Sequence, residues 1–114
     1  MIKKYLQRFP HAFRGLWHAT TTDFGFRTQL YLGVVIAILI KVFFEGLTET
    51  EWLFVALSYT LIFITELQNS ALESALDQVH PELHEHIKYS KDMAAAAVLI
   101  AGLFLLIVLV VIFF

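Results

Sequence analysis

The chain has 114 residues, of which 59% are hydrophobic and 16% charged, with a mean hydropathy of +0.73 and a formal net charge of −2. Soluble domains are typically about 45–50% apolar and about a quarter charged, so this composition excludes an ordinary soluble domain. It indicates an integral membrane protein with one domain, residues 1–114. The absence of cysteine excludes disulfides and thiolate metal sites. We expect no cleavable signal peptide, because the basic N-terminus lacks a contiguous apolar segment.

The first residues of the chain mix cations with apolar side chains. Apolar residues recur there at roughly helical spacing, which predicts an amphipathic helix on the membrane surface at about residues 1–22. Pro10 is expected to break or start a helix. Residues 20–23 predict a turn in which Asp23 caps the following helix.

Three apolar segments follow, and we expect transmembrane helices at about residues 28–47, 52–72 and 93–114. A bilayer needs ~20 such residues, and the third segment contains no charged residue. Five Lys and Arg residues precede the first segment, none lies in residues 45–51, and two lie in residues 77–92. This asymmetry predicts that the N-terminus and the second loop are cytoplasmic.

A polar stripe lies at the end of the second apolar segment. If the helix continues without a break, Glu66, Asn69, Glu73 and Asp77 fall within a sector of roughly 80°. Carboxylates there must face a protein interior, a partner or an aqueous mouth, because lipid disfavours them. The alternative is the solvated end of a buried helix. At ~1.5 Å per residue, Glu73 lies near the interface and Glu66 one or two turns deeper.

That depth suits a reaction between a water-soluble reagent and a lipid headgroup. Asp23 and Glu73 are suited to hold Mg²⁺, which needs one or two carboxylates plus substrate phosphates. Glu66 is suited to act as a general base on a lipid hydroxyl, with Asn69 orienting it. These roles indicate phosphoryl transfer to a membrane alcohol. The sequence has no Walker A motif or kinase-type Gly-rich loop, so a nucleotide site must be unconventional.

Two further polar groups and one small-residue patch accompany the stripe. For His80, His84 and His86 three interpretations are open: a transition-metal site, a solvated loop, or a loop with one His touching nucleotide. Lys4 and Lys91 are suited to meet phosphate charge. Residues 94–97 are all alanine, which permits close helix packing or the approach of a ligand.

Two long motifs and one short pair resemble the small prokaryotic diacylglycerol kinase family, which includes undecaprenol kinases. Residues 66–77, ELQNSALESALD, resemble E-[LI]-x-N-[ST]-A-[IL]-E-x-x-[VL]-D, and residues 91–99, KDMAAAAVL, resemble K-D-M-x-[AS]-[AG]-A-V-L. Residues 13–16, FRGL, and 23–27, DFGFR, resemble [WF]-[KR]-G-[LI] and E-x-x-F-R. The chain departs from the family pattern at Asp23, where Glu is usual, at Lys4, where Arg is common, and at Gln29, where Glu or His is found.

The resemblance implies a homotrimer of three-span protomers with a surface helix, whose composite active sites lie between protomers on the cytoplasmic side of the bacterial inner membrane. It implies ATP and Mg²⁺, with Glu66 as the proton acceptor supported by Asn69, and with Asp23 and Glu73 as metal carboxylates. The nucleotide contacts it implies are Lys4, His11, Asp23, Glu73, Asp77, Glu82, His84, Lys91 and Asp92. The lipid contacts it implies are Arg14, Glu66 and Ala95.

The expected function is therefore the ATP- and Mg²⁺-dependent phosphorylation of a membrane lipid alcohol, diacylglycerol to phosphatidic acid. Undecaprenol is the alternative acceptor, because the two lipids differ mainly in their tails and the tail-facing side chains are generic. The residues alone leave two other hypotheses open: an ion- or proton-coupled membrane subunit that uses Glu66, and a scaffold oligomer in which the acids pair with neighbouring cations. No nucleic-acid partner is expected.

Overall fold

The computed structural model describes residues 1–79 and 85–114, and all the regular structure in these ranges is helical. The five helices are α1 (Ile2–Leu6), α2 (Arg8–Thr22), α3 (Phe24–Phe43), α4 (Glu49–Val79) and α5 (Glu85–Phe113). Of these, α3, α4 and α5 are long and apolar enough to cross a membrane. The predicted all-α membrane fold with an N-terminal helical segment is confirmed for the described residues.

The last two membrane helices extend well beyond the predicted spans into polar sequence. Residues 73–79 form the last two turns of α4, and residues 85–92 form the first two turns of α5. Residues 77–92 are predicted to form a loop, and this prediction is wrong for residues 77–79 and 85–92, which are helical. The reason is that Ala, Leu, Glu, Gln and Lys favour helix whether or not lipid surrounds them. The predicted sites His80, Glu82 and His84 lie outside the described residues.

The N-terminal helical segment, residues 1–22, is interrupted at Gln7, and α2 ends before Asp23. Pro10 lies in the first turn of α2, where a proline costs no hydrogen bond. The predicted turn at residues 20–23 is wrong in part, since α2 continues through Thr22. The hydroxyls of its three terminal threonines donate to the carbonyls of Leu16, Trp17 and His18 at 2.7, 2.9 and 2.6 Å. These bonds keep the last turn helical and leave Asp23 as the one extended residue before α3.

The connection between α3 and α4 lies at the opposite end of the bundle. Gly46 has a φ of +91°, a conformation that glycine adopts without steric cost. Thr48 and Glu51 then form a capping box: the Thr48 N–H donates to Glu51 Oε1 and the Glu51 N–H donates to Thr48 Oγ1, each at 3.1 Å. The box starts α4 at a defined residue and so sets the register of its polar stripe.

The membrane helices pack through two small apolar clusters. Tyr59 and Ile62 of α4 meet Ala101 and Leu105 of α5, and Ile40 of α3 meets Val55 and Val108. The Tyr59 ring also lies against Gly33, where an added Cβ would come within 2.8 Å of its Cε1 atom. Glycine at position 33 therefore lets α3 approach α4 closely.

A chain of aromatic rings fixes the start of α3 on α4. Phe26, only 3% exposed, packs on Phe63 with ring centroids 5.6 Å apart, and Phe63 packs on Tyr59 at 5.3 Å. Tilted pairs at this distance contribute about 0.5–1.5 kcal/mol beyond the area they bury. The first turn of α3 is thus held beside α4 next to the polar stripe.

Most of the apolar surface of the three membrane helices stays uncovered within one chain. Only 11%, 22% and 17% of the most apolar windows of α3, α4 and α5 are buried. Leu99 and Val111 of α5 are 64% and 76% exposed. These faces therefore require lipid or other chains as neighbours.

Candidate active site

The site begins at Asp23, the single extended residue between α2 and α3. Its backbone has φ −94° and ψ 109°, and its Oδ1 accepts the N–H of Gly25 at 3.1 Å. Asp23 therefore caps α3, as the sequence predicts, and it satisfies one of the free N–H groups at that helix end. A carboxylate is also electrostatically favoured there, because the N-terminus of a helix carries partial positive charge.

The second oxygen of the same carboxylate is bound across the helix interface. Ser70 Oγ of α4 donates a short hydrogen bond to Asp23 Oδ2. The two residues are 47 positions apart in the chain, and the bond is partly buried. It fixes the break between α2 and α3 against α4.

Glu66 reaches the same point from α4. A Cβ built on Gly25 would collide with Glu66 Oε1 and would lie 3.4 Å from its Cδ and 3.5 Å from Asp23 Oδ1. The carboxylates of Glu66 and Asp23 thus converge over the bare backbone of Gly25. Two of the predicted site residues, Asp23 and Glu66, are therefore neighbours, and Glu73 follows Glu66 by about two turns of α4.

The polar stripe of α4 lies on one unbroken helix from Glu49 to Val79, as its predicted geometry requires. Glu73 is exposed, whereas Glu66 and Asn69 are half-buried. Asn69 Oδ1 is buried and accepts no hydrogen bond among the described residues. An unpaired buried carbonyl costs about 1–3 kcal/mol, so this oxygen is available to a substrate or metal-bound group.

A second polar contact joins α4 and α5 beyond the stripe. Lys91 Nζ forms a short ion pair with Asp77 Oδ1, and both residues are predicted nucleotide contacts. Their side chains are 33% and 61% exposed. Asp92, the next residue of α5, is exposed. The pair places a cation one turn beyond Glu73.

The predicted residues of α1 and α2 make contacts of their own. The Arg14 guanidinium donates to His11 Nδ1 at 2.7 Å and to the Pro10 carbonyl at 3.3 Å. Lys4 lines a cavity of 370 Å³ at the N-terminus. Ala95 is exposed on α5. Within the chain, the structure therefore brings together Asp23 and Glu66, and separately Asp77 and Lys91, while Glu73 shares the helix of Glu66.

A groove of 930 Å³ lies between α2 and α4. Asp23 and Ser70 form part of its wall. Its other lining residues are mostly small, among them Gly15, Ala19, Ala71 and Ala75. Small side chains leave space between the two helices for a slender ligand.

The donor set fits Mg²⁺ as one partner of a nucleotide. No group of three or more His, Cys, Asp or Glu side chains within residues 1–79 and 85–114 could by itself hold a metal ion. Mg²⁺ does not need such a cage, because it commonly takes one or two carboxylates and completes its shell with phosphates and water. Asp23, which lies beside Glu66, and Glu73, further along the same helix as Glu66, carry hard oxygen ligands of this kind.

Sequence reasoning missed two residues of the cluster, Ser70 and Gly25. Ser70 lies four residues after Glu66 and three before Glu73, so helical spacing already places it on their face. Gly25 lies two residues after the cap, where the sequence alone gives no sign that a side chain of α4 needs the space.

Comparison with known proteins agrees with the resemblance that the motifs indicate. The family described as prokaryotic diacylglycerol kinase matches residues 10–113. An undecaprenol kinase of Bacillus subtilis is 33% identical over 97 residues, which are 85% of this chain and 77% of that protein. A diacylglycerol kinase of Escherichia coli is 35% identical over 91 residues, 80% of this chain and 73% of that protein. A diacylglycerol kinase of Synechocystis is 36% identical over 99 residues, 86% of this chain but 55% of that protein.

The match covers most of α2, all of α3, α4 and α5, and the carboxylates Asp23 and Glu66. Relatives of both names share about a third of their residues with this chain over most of its length. The chain therefore belongs to the prokaryotic diacylglycerol kinase family.

Proposed function

We propose that this chain, a lipid kinase by its family, transfers the γ-phosphoryl group of ATP to diacylglycerol and makes phosphatidic acid. The observation that carries the proposal is the convergence of the Asp23 and Glu66 carboxylates over Gly25. They meet next to the polar end of a membrane helix, where a nucleotide from water and a lipid hydroxyl can both arrive. Phosphoryl transfer needs mainly positioning and charge neutralisation, which such a cluster provides.

The proposed proton acceptor is Glu66. The oxygen of the lipid hydroxyl bonds to the γ-phosphorus, the bond between that phosphorus and the ADP oxygen breaks, and Glu66 takes the hydroxyl proton. Asn69 Oδ1, buried without a partner, is placed on the same face to accept a hydrogen bond from the hydroxyl or a bound water. The two side chains thus orient the attacking group.

Asp23 and Glu73 are the residues that would hold Mg²⁺. When bound, the ion neutralises charge on the phosphates. Lys91 is available to the nucleotide because its ion pair with Asp77 is partly exposed and exchangeable. Asp92 lies next to it on α5 and is proposed to complete the nucleotide contacts together with Lys4 and His11.

The groove between α2 and α4 supports a lipid acceptor. It has Asp23 in its wall, is lined mostly by small side chains, and includes Gly15 of α2, the residue next to Arg14 in the sequence. Undecaprenol is the second candidate acceptor, because a relative named undecaprenol kinase matches this chain as broadly as the diacylglycerol kinases do.

We also propose the surroundings in which the reaction occurs. The cation asymmetry of the loops supports a cytoplasmic active site in the bacterial inner membrane. The uncovered apolar faces of α3, α4 and α5 support assembly into a homotrimer with sites shared between protomers.

The test is phosphoryl transfer by the purified protein in mixed micelles with labelled ATP and Mg²⁺, with diacylglycerol and undecaprenol offered separately. We expect label in phosphatidic acid, and we expect it to be lost in Glu73→Gln. Label on undecaprenol alone would replace the proposed acceptor with the second candidate. Label on neither lipid, from protein shown to be folded, would contradict both, and ion flux in liposomes would then test the ion-coupled alternative.

A further inference from the structure

The hydrogen bond between Ser70 and Asp23 takes no direct part in the proposed phosphoryl transfer. Asp23 uses both carboxylate oxygens: Oδ1 accepts from the Gly25 N–H of its own helix, and Oδ2 accepts from the Ser70 hydroxyl of α4. Each oxygen has two lone pairs, so each keeps one free for a further ligand. The carboxylate is thereby held in one orientation without being used up.

The helix cap alone does not relate Asp23 to the other carboxylates. Asp23 is the extended residue at a break between two helices, whereas Glu66 and Glu73 are carried by α4. Ser70 lies between these two on α4, at helical spacing from both. Its hydroxyl is therefore the polar contact that ties the position of Asp23 to the helix carrying the other acids.

We propose that Ser70 is a positioning residue that holds Asp23 in register with Glu73 for a divalent cation. The inference rests on the proposed function, because it takes Asp23 and Glu73 as the metal carboxylates. Groups that hydrogen-bond a ligating carboxylate orient it, and their loss typically lowers metal affinity or activity about 10- to 100-fold. Ser70 itself touches neither metal nor substrate in this role.

The experiment measures metal binding directly. Mn²⁺ is titrated into the full-length protein in detergent with a non-hydrolysable ATP analogue, and bound Mn²⁺ is followed by electron paramagnetic resonance. We expect Ser70→Ala to raise the half-saturating Mn²⁺ concentration about tenfold. Ser70→Thr keeps the hydroxyl and should bind Mn²⁺ close to the wild-type midpoint. Ser74→Ala, an exposed serine one turn further along α4, is the matched control and should leave the midpoint unchanged.

A second comparison links the effect to Asp23. In an Asp23→Asn background, Ser70→Ala should cause no further loss of Mn²⁺ affinity, because residues that act through one contact are not additive. An additive loss of Mn²⁺ affinity in the double variant would overturn the inference. An unchanged Mn²⁺ midpoint in the Ser70→Ala single variant would overturn it too. Absence of Mn²⁺ binding by the wild-type protein would overturn it as well.

Failure of this inference is distinguishable from failure of the proposed function. If Ser70→Ala binds Mn²⁺ like the wild type and lipid phosphorylation is normal, the role of Ser70 is wrong and the function stands. If Ser70→Ala weakens Mn²⁺ binding but the wild type labels neither lipid, the role of Ser70 stands and the function is wrong. The Thr variant keeps the test decisive if the Ala variant fails to fold.

Discussion

Gly25 shows how the absence of a side chain shapes this site. The Asp23 and Glu66 carboxylates meet over its backbone, and Glu66 Oε1 lies within the volume that a Cβ would occupy. Like charges are held together there by hydrogen bonds to Asp23 from Gly25 and Ser70. Such a cluster gains from a divalent cation, since the cation removes the repulsion between the acids.

Gly25→Leu is predicted to lower turnover at least about tenfold, because displacing a reacting group by about 1 Å can cost far more than that. The larger side chain would push the Glu66 carboxylate away from Asp23, while the end of that flexible side chain yields with little loss of stability. Initial rates of lipid phosphorylation measure the effect. Gly102→Leu is the matched control, because nothing lies within 4 Å of a Cβ at that position. Equal rates in the two variants would contradict the placement of Glu66.

The sequence predicts the roles of some site residues but not of others. The capping role of Asp23 follows from a polar residue in front of an apolar helix, and the structure confirms it. The roles of Glu66, Glu73 and Asn69 stay predictions, although their helix is unbroken as required. Ser70 and Gly25 could not be assigned, because their roles arise from a contact between segments about 45 residues apart, which local pattern does not encode.

An exposed ion pair links the ends of α4 and α5. The ion pair between Lys91 and Asp77 joins the last turns of α4 to the first turns of α5. Because both side chains are partly exposed, the pair should add only about 0–1 kcal/mol to stability. We therefore assign Lys91 mainly to the nucleotide.

Lys91→Met is predicted to raise the KM for ATP about tenfold, the loss expected when a charge-assisted hydrogen bond is removed. The midpoint of unfolding in a sodium dodecyl sulfate titration should change little. Lys88→Met, an exposed lysine one turn earlier on α5, is the control and should leave the KM for ATP unchanged. A large loss of stability with an unchanged KM would mean that the pair is structural.

The elements themselves follow from the sequence better than their ends do. Apolar segments of sufficient length predict three membrane helices, and residues 1–79 and 85–114 contain three candidates. The limits differ because hydropathy reports where lipid contact is tolerated, whereas helix limits depend on caps and propensity. The threonine hydroxyls that extend α2 and the capping box that starts α4 are both local devices of that kind.

In one chain of this molecule, most of the apolar surface of α3, α4 and α5 is uncovered. A neighbouring protomer would bring additional surface to these helices.

We predict three chains per particle by native mass spectrometry in detergent.

We also predict partial recovery of activity when inactive Glu66→Gln and Asp92→Asn subunits are refolded together, because a shared site can combine one intact residue from each. Refolding of either variant alone is the control. A fully active monomer, or mixed subunits that stay inactive, would contradict sites shared between protomers.

We propose that the carboxylate cluster beside the end of a membrane helix phosphorylates a lipid, with Glu66 as the base. The most direct measurement is the kcat of Glu66→Gln for diacylglycerol in mixed micelles, with Glu45→Gln at the opposite end of the bundle as control. We predict a loss of at least about 100-fold in Glu66→Gln, with helical content and particle size unchanged and with a normal rate in the control. A folded Glu66→Gln protein that phosphorylates diacylglycerol at the wild-type rate would contradict it.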